Sequence, residues 1–190
     1  METLLHQDIT FENINYSNQE IGSREFEKCT FKNCDLSNSS FTSCKFIECS
    51  FVLCNLSMVK LNNTQLDTVA FNDCKVLGVD FSKCSDFIFG VKFTNCILEY
   101  ACFERKKMNN TSFINSKVKG VDFTGTDLTK SKFENCDLQD AVFVKTILKE
   151  TDFTTAYNFT IDPEKNTMKK AKFSLHGLTG LLEKYDIRVE

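Results

Sequence analysis

The sequence predicts an all-β solenoid, a chain wound into a coil of short extended segments, and three observations predict it. Phenylalanine recurs in a five-residue register at positions 11, 26, 31, 41, 46, 51, 71 and 81, then 93, 103, 113, 123, 133, 143 and 153, then 173, so sixteen of the nineteen are in phase within their blocks. Chance would place about one in five at any single phase. Asparagine or glycine recurs two residues after the in-phase position, where left-handed backbone would turn the chain. Proline occurs once, where ordinary usage would give about nine, as expected when backbone N–H groups are committed to ladders.

The 190 residues, 42% hydrophobic and 26% charged, have a globular composition. No run approaches the roughly 18 uninterrupted apolar residues of a membrane helix. The first ten residues carry Glu2 and Asp8 instead of a basic stretch before an apolar core, so no secretory signal and a cytoplasmic location are expected. Net charge is −3, with −4 in residues 1–92 and +1 in residues 93–190; neither half suggests direct nucleic-acid binding.

The remaining in-phase positions are also apolar, among them Tyr16, Ile21, Leu36, Leu56, Leu61, Leu66, Val76, Leu98, Met108, Val118, Leu128, Leu138 and Leu148. This position is the centre of each unit. Two residues earlier stands a small side chain such as Cys29, Cys34, Ser39, Cys44, Thr64, Val121 or Ala141. Strand alternation points both positions inward and the residues between them outward. Corners follow at Asn13, Asn33, Asn38, Gly78, Gly120, Gly125 and Asn135.

Units such as Cys34-Asp35-Leu36-Ser37-Asn38, Val121-Asp122-Phe123-Thr124-Gly125 and Cys136-Asp137-Leu138-Gln139-Asp140 resemble those of the pentapeptide-repeat family, over residues 11–173. The resemblance implies a right-handed quadrilateral parallel β-helix of pentapeptide repeats, with four units and about twenty residues per coil stacked at the strand spacing of about 4.8 Å, and one domain over residues 1–190. In such a coil the ten-residue recurrence of phenylalanine after Phe93 puts aromatic rings on two opposite walls and aliphatic side chains on the other two.

The register slips once, within residues 83–92, because Phe81 and Phe93 are two residues too far apart. Asp86, Phe87 and Phe89 lie in the slip, which reads either as a bulge whose aromatics fold back on the coil or as an exposed recognition loop. Lys106 falls at an inward position, where a lysine is expensive unless it escapes to solvent, and a local distortion without function is expected there. Residues 158–167, with Pro163, replace two sides of a coil by a loop or helical turn. After them Leu175, Leu178, Leu182 and Tyr185 have helical spacing behind Ser174 as N-cap. This short C-terminal helix, in residues 174–190, is expected to cap the last coil, and residues 187–189 to add a strand. Leu181 and Ile187 point elsewhere, so Leu178, Leu181, Leu182, Tyr185 and Ile187 form a candidate homodimer interface.

Nine cysteines (29, 34, 44, 49, 54, 74, 84, 96 and 136) occupy inward positions and read as small hydrophobes; only Cys102 is expected to face out. Cys34, Cys54 and Cys74 stack one coil apart and are expected to stay reduced. There is no C-x2-C pair, and neither a metal nor a cofactor is expected. His6 and His176 lie in opposite terminal segments, so no nucleophile–histidine pair and no enzymatic activity are expected. Asp35, Asp80, Asp122, Asp127, Asp137 and Asp152 precede centres and face outward, where they serve solubility and wall-to-wall hydrogen bonding. Function is therefore a matter of surface. Within its family the chain is distantly similar to the quinolone-resistance (Qnr-type) proteins, which implies a rod that dimerises near its C-terminal cap and engages DNA gyrase or topoisomerase IV. The alternative is a scaffolding module that binds another protein along one wall.

Overall fold

The computed structural model describes residues 4–187, which wind as a right-handed, quadrilateral parallel β-solenoid of about 8 turns with a single short C-terminal helix. Every strand pairs in parallel with the strand one coil away. In the first half β1 (Leu4–Gln7), β3 (Arg24–Glu27) and β5 (Lys45–Ile47) stack on one wall, and β2 (Thr10–Glu12), β4 (Thr30–Lys32) and β6 (Ser50–Val52) on the next. The twenty-residue offset is direct: Phe11 faces Phe31 and Phe31 faces Phe51. The eight-residue strand β7 (Gln65–Asn72) spans both walls, and β8 (Phe89–Thr94), β9 (Ser112–Ile114), β10 (Lys132–Glu134), β11 (Asp152–Phe153) and β12 (Lys172–Phe173) continue the stack. The coil begins earlier than the phenylalanine pattern predicts. His6 pairs with Phe26 and stacks on its ring at 5.0 Å, so the imidazole occupies the first centre instead of lying in a tail.

Four walls follow from the register. Wall A carries an unbroken column of rings, Phe11, Phe31, Phe51, Phe71, Phe93, Phe113, Phe133, Phe153 and Phe173, with neighbouring centroids 4.7 to 5.4 Å apart. That spacing is the strand spacing. Wall B is aliphatic from Leu36 to Leu138, wall C carries Phe81, Phe103, Phe123 and Phe143, and wall D runs from His6 and Phe26 to Leu128 and Leu148. The second half thus has its rings on the opposite walls A and C, as expected. The first half differs, with Phe26 and Phe46 on wall D meeting Phe31 and Phe51 on the adjacent wall.

Left-handed corners are not confined to asparagine and glycine: Lys28, Glu48, Leu53, Met58, Tyr100, Arg105 and Lys130 all have φ between 52 and 60°. Such φ is uncommon for these residues. The ladder above and below imposes it, since each corner N–H donates to the neighbouring coil, as Lys28 does to Ile47 at 2.8 Å and Lys130 to Lys149 at 2.9 Å. Gly78 and Gly120 have a separate reason. A Cβ there would meet the side chains of Met58 and Tyr100, which lie across them from the preceding coil.

The inward small position has more chemistry than size. Its thiol or hydroxyl donates to the centre carbonyl of the coil before it: Cys44 to Ile21 at 2.9 Å, Cys49 to Phe26 at 3.2 Å, Thr64 to Phe41 at 2.6 Å and Ser131 to Met108 at 2.7 Å. Cysteine, serine and threonine interchange there because each offers one short donor. The nine repeat cysteines are buried and unbridged, and Cys102 is half-buried. Outward, the aspartates close the corners. Asp35, Asp80, Asp122, Asp127 and Asp152 each accept the backbone N–H two residues on, at 2.8 to 3.0 Å, a local turn that aspartate favours.

The last coil closes with residues the repeat pattern does not mark. Phe159 and Ile161 are buried and plug the core, with the ring of Phe159 tilted against Phe153 and Phe173 at 5.8 and 5.5 Å. Pro163 opens a 3-10 turn capped by Asp162. The predicted continuous helix is reduced to one α-helical turn, α1 (Thr179–Leu182), between 3-10 turns; Ser174 accepts the Gly177 N–H at 3.1 Å in the turn before it, and no side chain caps α1 itself. Gly180 lies directly against Phe159, where any Cβ would strike the Phe159 carbonyl, and its own carbonyl accepts the Ile161 N–H at 2.9 Å. The expected strand at residues 187–189 falls mostly outside the described residues.

Candidate functional site

Two places break the regular wall, and both concern residues singled out from the sequence. The first is the two-residue slip. Ser85 is still in the regular register, Leu66 faces Phe89 and Phe71 faces Phe93, so the surplus enters between Ser85 and Phe89, and a bulge between Leu66 and Val69 then takes one residue of the offset back. Cys84 keeps its inward place, and Ser85 still donates to the Thr64 carbonyl at 2.9 Å. Beyond it the chain leaves the wall. The two phenylalanines part: Phe89 turns in, edge-on to Phe81 and Phe103 at 6.1 and 6.5 Å, and Phe87 projects with 84% of its surface exposed.

Lys106 does not escape to solvent. It is 2% exposed, its Nζ donates to the Cys84 carbonyl and to Asp86 Oδ1, both at 2.5 Å, and it lies 5.5 Å from the centroid of Phe89. The reason is the rule of the inward position. Thr126, one coil later on the same wall, reaches the Phe103 carbonyl with a hydroxyl; at Lys106 a four-carbon arm carries the donor further, to the Cys84 carbonyl and to Asp86 in the inserted segment. Asp86 supplies the counter-charge that a buried cation requires. Burial pushes the neighbouring Cys84 thiol up to about 12, against the pull of Lys106. The slip and the lysine are therefore one device, which holds the segment carrying Phe87 to the core.

The second place is the cap. The stripe of Leu175, Leu178, Leu182 and Tyr185 does not pack on the last coil as expected. Leu175, Leu178 and Tyr185 are exposed, with Ile187 beside them, Leu182 is half-buried, and Leu181 is the residue that packs against the core. The physical cause is the shortness of α1, whose one turn cannot sustain a helical stripe, so the face toward Phe159 is set by Gly177 and Gly180. Polar contacts fix the rim: Lys184 donates to Asp162 at 2.7 Å and pairs with Glu164 at 2.8 Å, and the Tyr185 hydroxyl donates to Glu164 at 3.1 Å. These bonds push the Lys184 ammonium up and hold both carboxylates below their ordinary range. A groove of about 840 Å³ runs beside the cap, lined by Tyr157, Phe159, His176, Gly180 and Ile187 among others.

His6 and His176 are at opposite ends of the coil. Among the described residues there is no cluster of three or more histidine, cysteine or acidic side chains fit to hold a metal, and no helix is long and apolar enough to cross a membrane. The chain matches the family described as pentapeptide repeat region over residues 24–85 and 88–157. No curated protein matches it in sequence. Among solved structures it is similar to full-length QnrB1, a plasmid-mediated fluoroquinolone resistance protein, at 18% identity and a TM-score of 0.62, over 96% of this chain and 100% of that one. It is also similar to a trypsin-treated variant of QnrB1, at 18% identity and a TM-score of 0.56, over 99% and 98% of the two chains.

Proposed function

The chain belongs to the pentapeptide-repeat family, and from that premise we propose that it is a non-enzymatic protein-binding rod whose target is a type II topoisomerase, DNA gyrase or topoisomerase IV, which it protects from quinolones. The observation that carries the reading is Phe87, an aromatic ring exposed on a segment anchored by an ion pair between the buried Lys106 and the exposed Asp86. An ordered aromatic on a stiff support binds at low entropic cost. Asp86 and the inward-packed Phe89 are its supports, and the walls on either side supply a long, rigid contact surface. The likeness in fold to a fluoroquinolone resistance protein favours this target over an unrelated partner.

The same reading joins two rods through their caps. Leu178, Tyr185 and Ile187 supply the apolar contact with Leu182 at its edge, whereas Leu181 belongs to the core of its own chain. Leu178→Glu is thus the separating variant. A gyrase supercoiling assay titrated with the protein, with and without a fluoroquinolone, tests the target. Recovery of supercoiling under the drug, lost in Phe87→Ser with unchanged far-UV dichroism, is expected. Supercoiling and drug inhibition that ignore the protein at every concentration would reject a topoisomerase target.

A further inference from the structure

The corner between walls D and A carries a charge sequence that is complementary to its own reverse. In coil order it reads Asp8, Lys28, Glu48, Thr68, Gly90, Asn110, Lys130, Glu150 and Lys170. Eight of these nine have left-handed φ between 52 and 60°, and Gly90 takes the corner above Thr68, whose backbone N its Cβ would approach to 3.2 Å. Consecutive members are tied coil to coil, Asp8 N–H to Glu27, Lys28 to Ile47, Glu48 to Asp67, Asn110 to Thr129, Lys130 to Lys149 and Glu150 to Lys169. The side chains therefore form one straight column, about 40 Å long at the strand spacing. All but Gly90 and Glu150 are exposed.

Inverted about Gly90, the column sets Asp8 against Lys170, Lys28 against Glu150, Glu48 against Lys130 and Thr68 against Asn110. Every charged position meets its opposite. The adjoining column adds one such pair, Glu27 opposite Lys149, and sets no like charges against each other; in the middle coil Lys92 on wall A and the exposed Asp86 beside Phe87 each meet their own copy. Neither the fold nor local backbone preference asks for this. Lysine and glutamate are poor choices for left-handed corners, and the neighbouring wall A column uses Asn13, Asn33, Asn95, Asn115 and Asn135 at the same step. At the midpoint, in the coil of Gly90, stands the exposed Phe87. An apolar centre flanked by charged arms is the layout of a protein interface.

We propose that this edge is a self-recognition surface, on which a second copy of the chain lies antiparallel across a two-fold axis at Gly90. A two-fold contact requires a self-complementary patch, and the reversed charge order is one. The contact is separate from the cap and does not rest on the topoisomerase reading, although it covers Phe87 and so competes with any partner that uses that ring. Its charges are exposed, so it is weak and salt-dependent.

Sedimentation velocity over a concentration series, at about 20 mM and about 0.5 M salt, where the Debye length falls from about 20 to about 4 Å, reads the contact. The expected result, read in the cap variant Leu178→Glu so that only this contact remains, is a dimer of the 21.8 kDa chain at low salt that dissociates at high salt and weakens at least tenfold when Glu48→Lys or Lys130→Glu is added. The double variant Glu48→Lys/Lys130→Glu restores it, because each copy then offers the exchanged partner. A carbodiimide crosslink between Glu48 and Lys130 accompanies the dimer, and four coils separate those residues within one chain. A monomer at low salt, a dimer indifferent to either single charge reversal, or a double variant no better than the singles would overturn the proposal. The swap stays on exposed corners and exchanges residue types already held there, and far-UV dichroism verifies the coil.

Discussion

Phe123 is fully buried between the rings of Phe103 and Phe143, at 5.6 and 5.2 Å. Phe123→Asp should therefore cost about 4 kcal/mol or more, because a carboxylate there has no partner and no water. Thr124→Lys, one residue along and outward beside Asp122, should stay within about 0.5 kcal/mol. Comparable losses in melting temperature for the two would refute the inward–outward assignment. The thiols test the same alternation by chemistry. Burial pushes Cys49 and Cys136 up to about 11, and Cys74 is also raised, through its hydrogen bonds to Cys54 and Cys96 and by burial. Partial burial raises Cys102 too, but it is the one cysteine that is not buried, so alkylation of the native protein near pH 8 should modify Cys102 alone, read by intact mass and peptide mapping. These assignments were legible in the sequence because period and side-chain size carry them. The donor role of the inward position was not, since which carbonyl lies within reach is a relation between coils.

At the scale of the element, the insertion shows where pattern reading stops. Its length and its out-of-phase phenylalanines are visible in the sequence, as is a lysine at an inward position; that the two are one feature is not, because they sit twenty residues apart and meet only when coils stack. The coupling is measurable. Asp86→Ala should destabilise the wild type by about 1–3 kcal/mol by leaving a buried ammonium with only the Cys84 carbonyl. In Lys106→Met the same change should cost almost nothing. Equal costs in both backgrounds, from urea melts, would show that the pair is not coupled. The cap teaches a similar lesson. Leucines at helical spacing suggest a stripe, but Gly180 against Phe159 decides which face of so short a helix turns inward.

Over the whole molecule the outward aspartates act in series, and their titration gives the coil a defined acid limit. Asp35 is held below the ordinary carboxylate range by hydrogen bonds from Ser37; Asp137 and Asp152 are held low by bonds from Asn158, Lys119 and Thr154, against partial burial that pushes upward. A carboxylate whose folded pKa is depressed contributes stability above its unfolded value of about 3.9, and loses it as pH falls through the folded value. The melting temperature should therefore be level from neutrality to about pH 5 and fall steeply below about pH 4. Asp35→Asn, which keeps the turn acceptor without the charge, should flatten part of that fall; a steep loss between pH 7 and 5 would assign the acid limit to other groups.

The sequence by itself determined the coil: a five-residue period that repeats across the chain leaves one way to bury every fifth side chain, and a nearly proline-free backbone agrees with it. It also placed the slip, the inward cysteines and the outward aspartates, all of which are properties of phase. Only the tertiary structure decided the start of the coil at His6, the burial of Lys106, the division of Phe87 from Phe89, the turning of Leu181 toward the core, and the straight column in which Asp8 and Lys170 become two ends of one charged edge. Each depends on which residues twenty or more apart become neighbours, and a parallel coil brings them together through backbone hydrogen bonds that do not depend on which side chains they align.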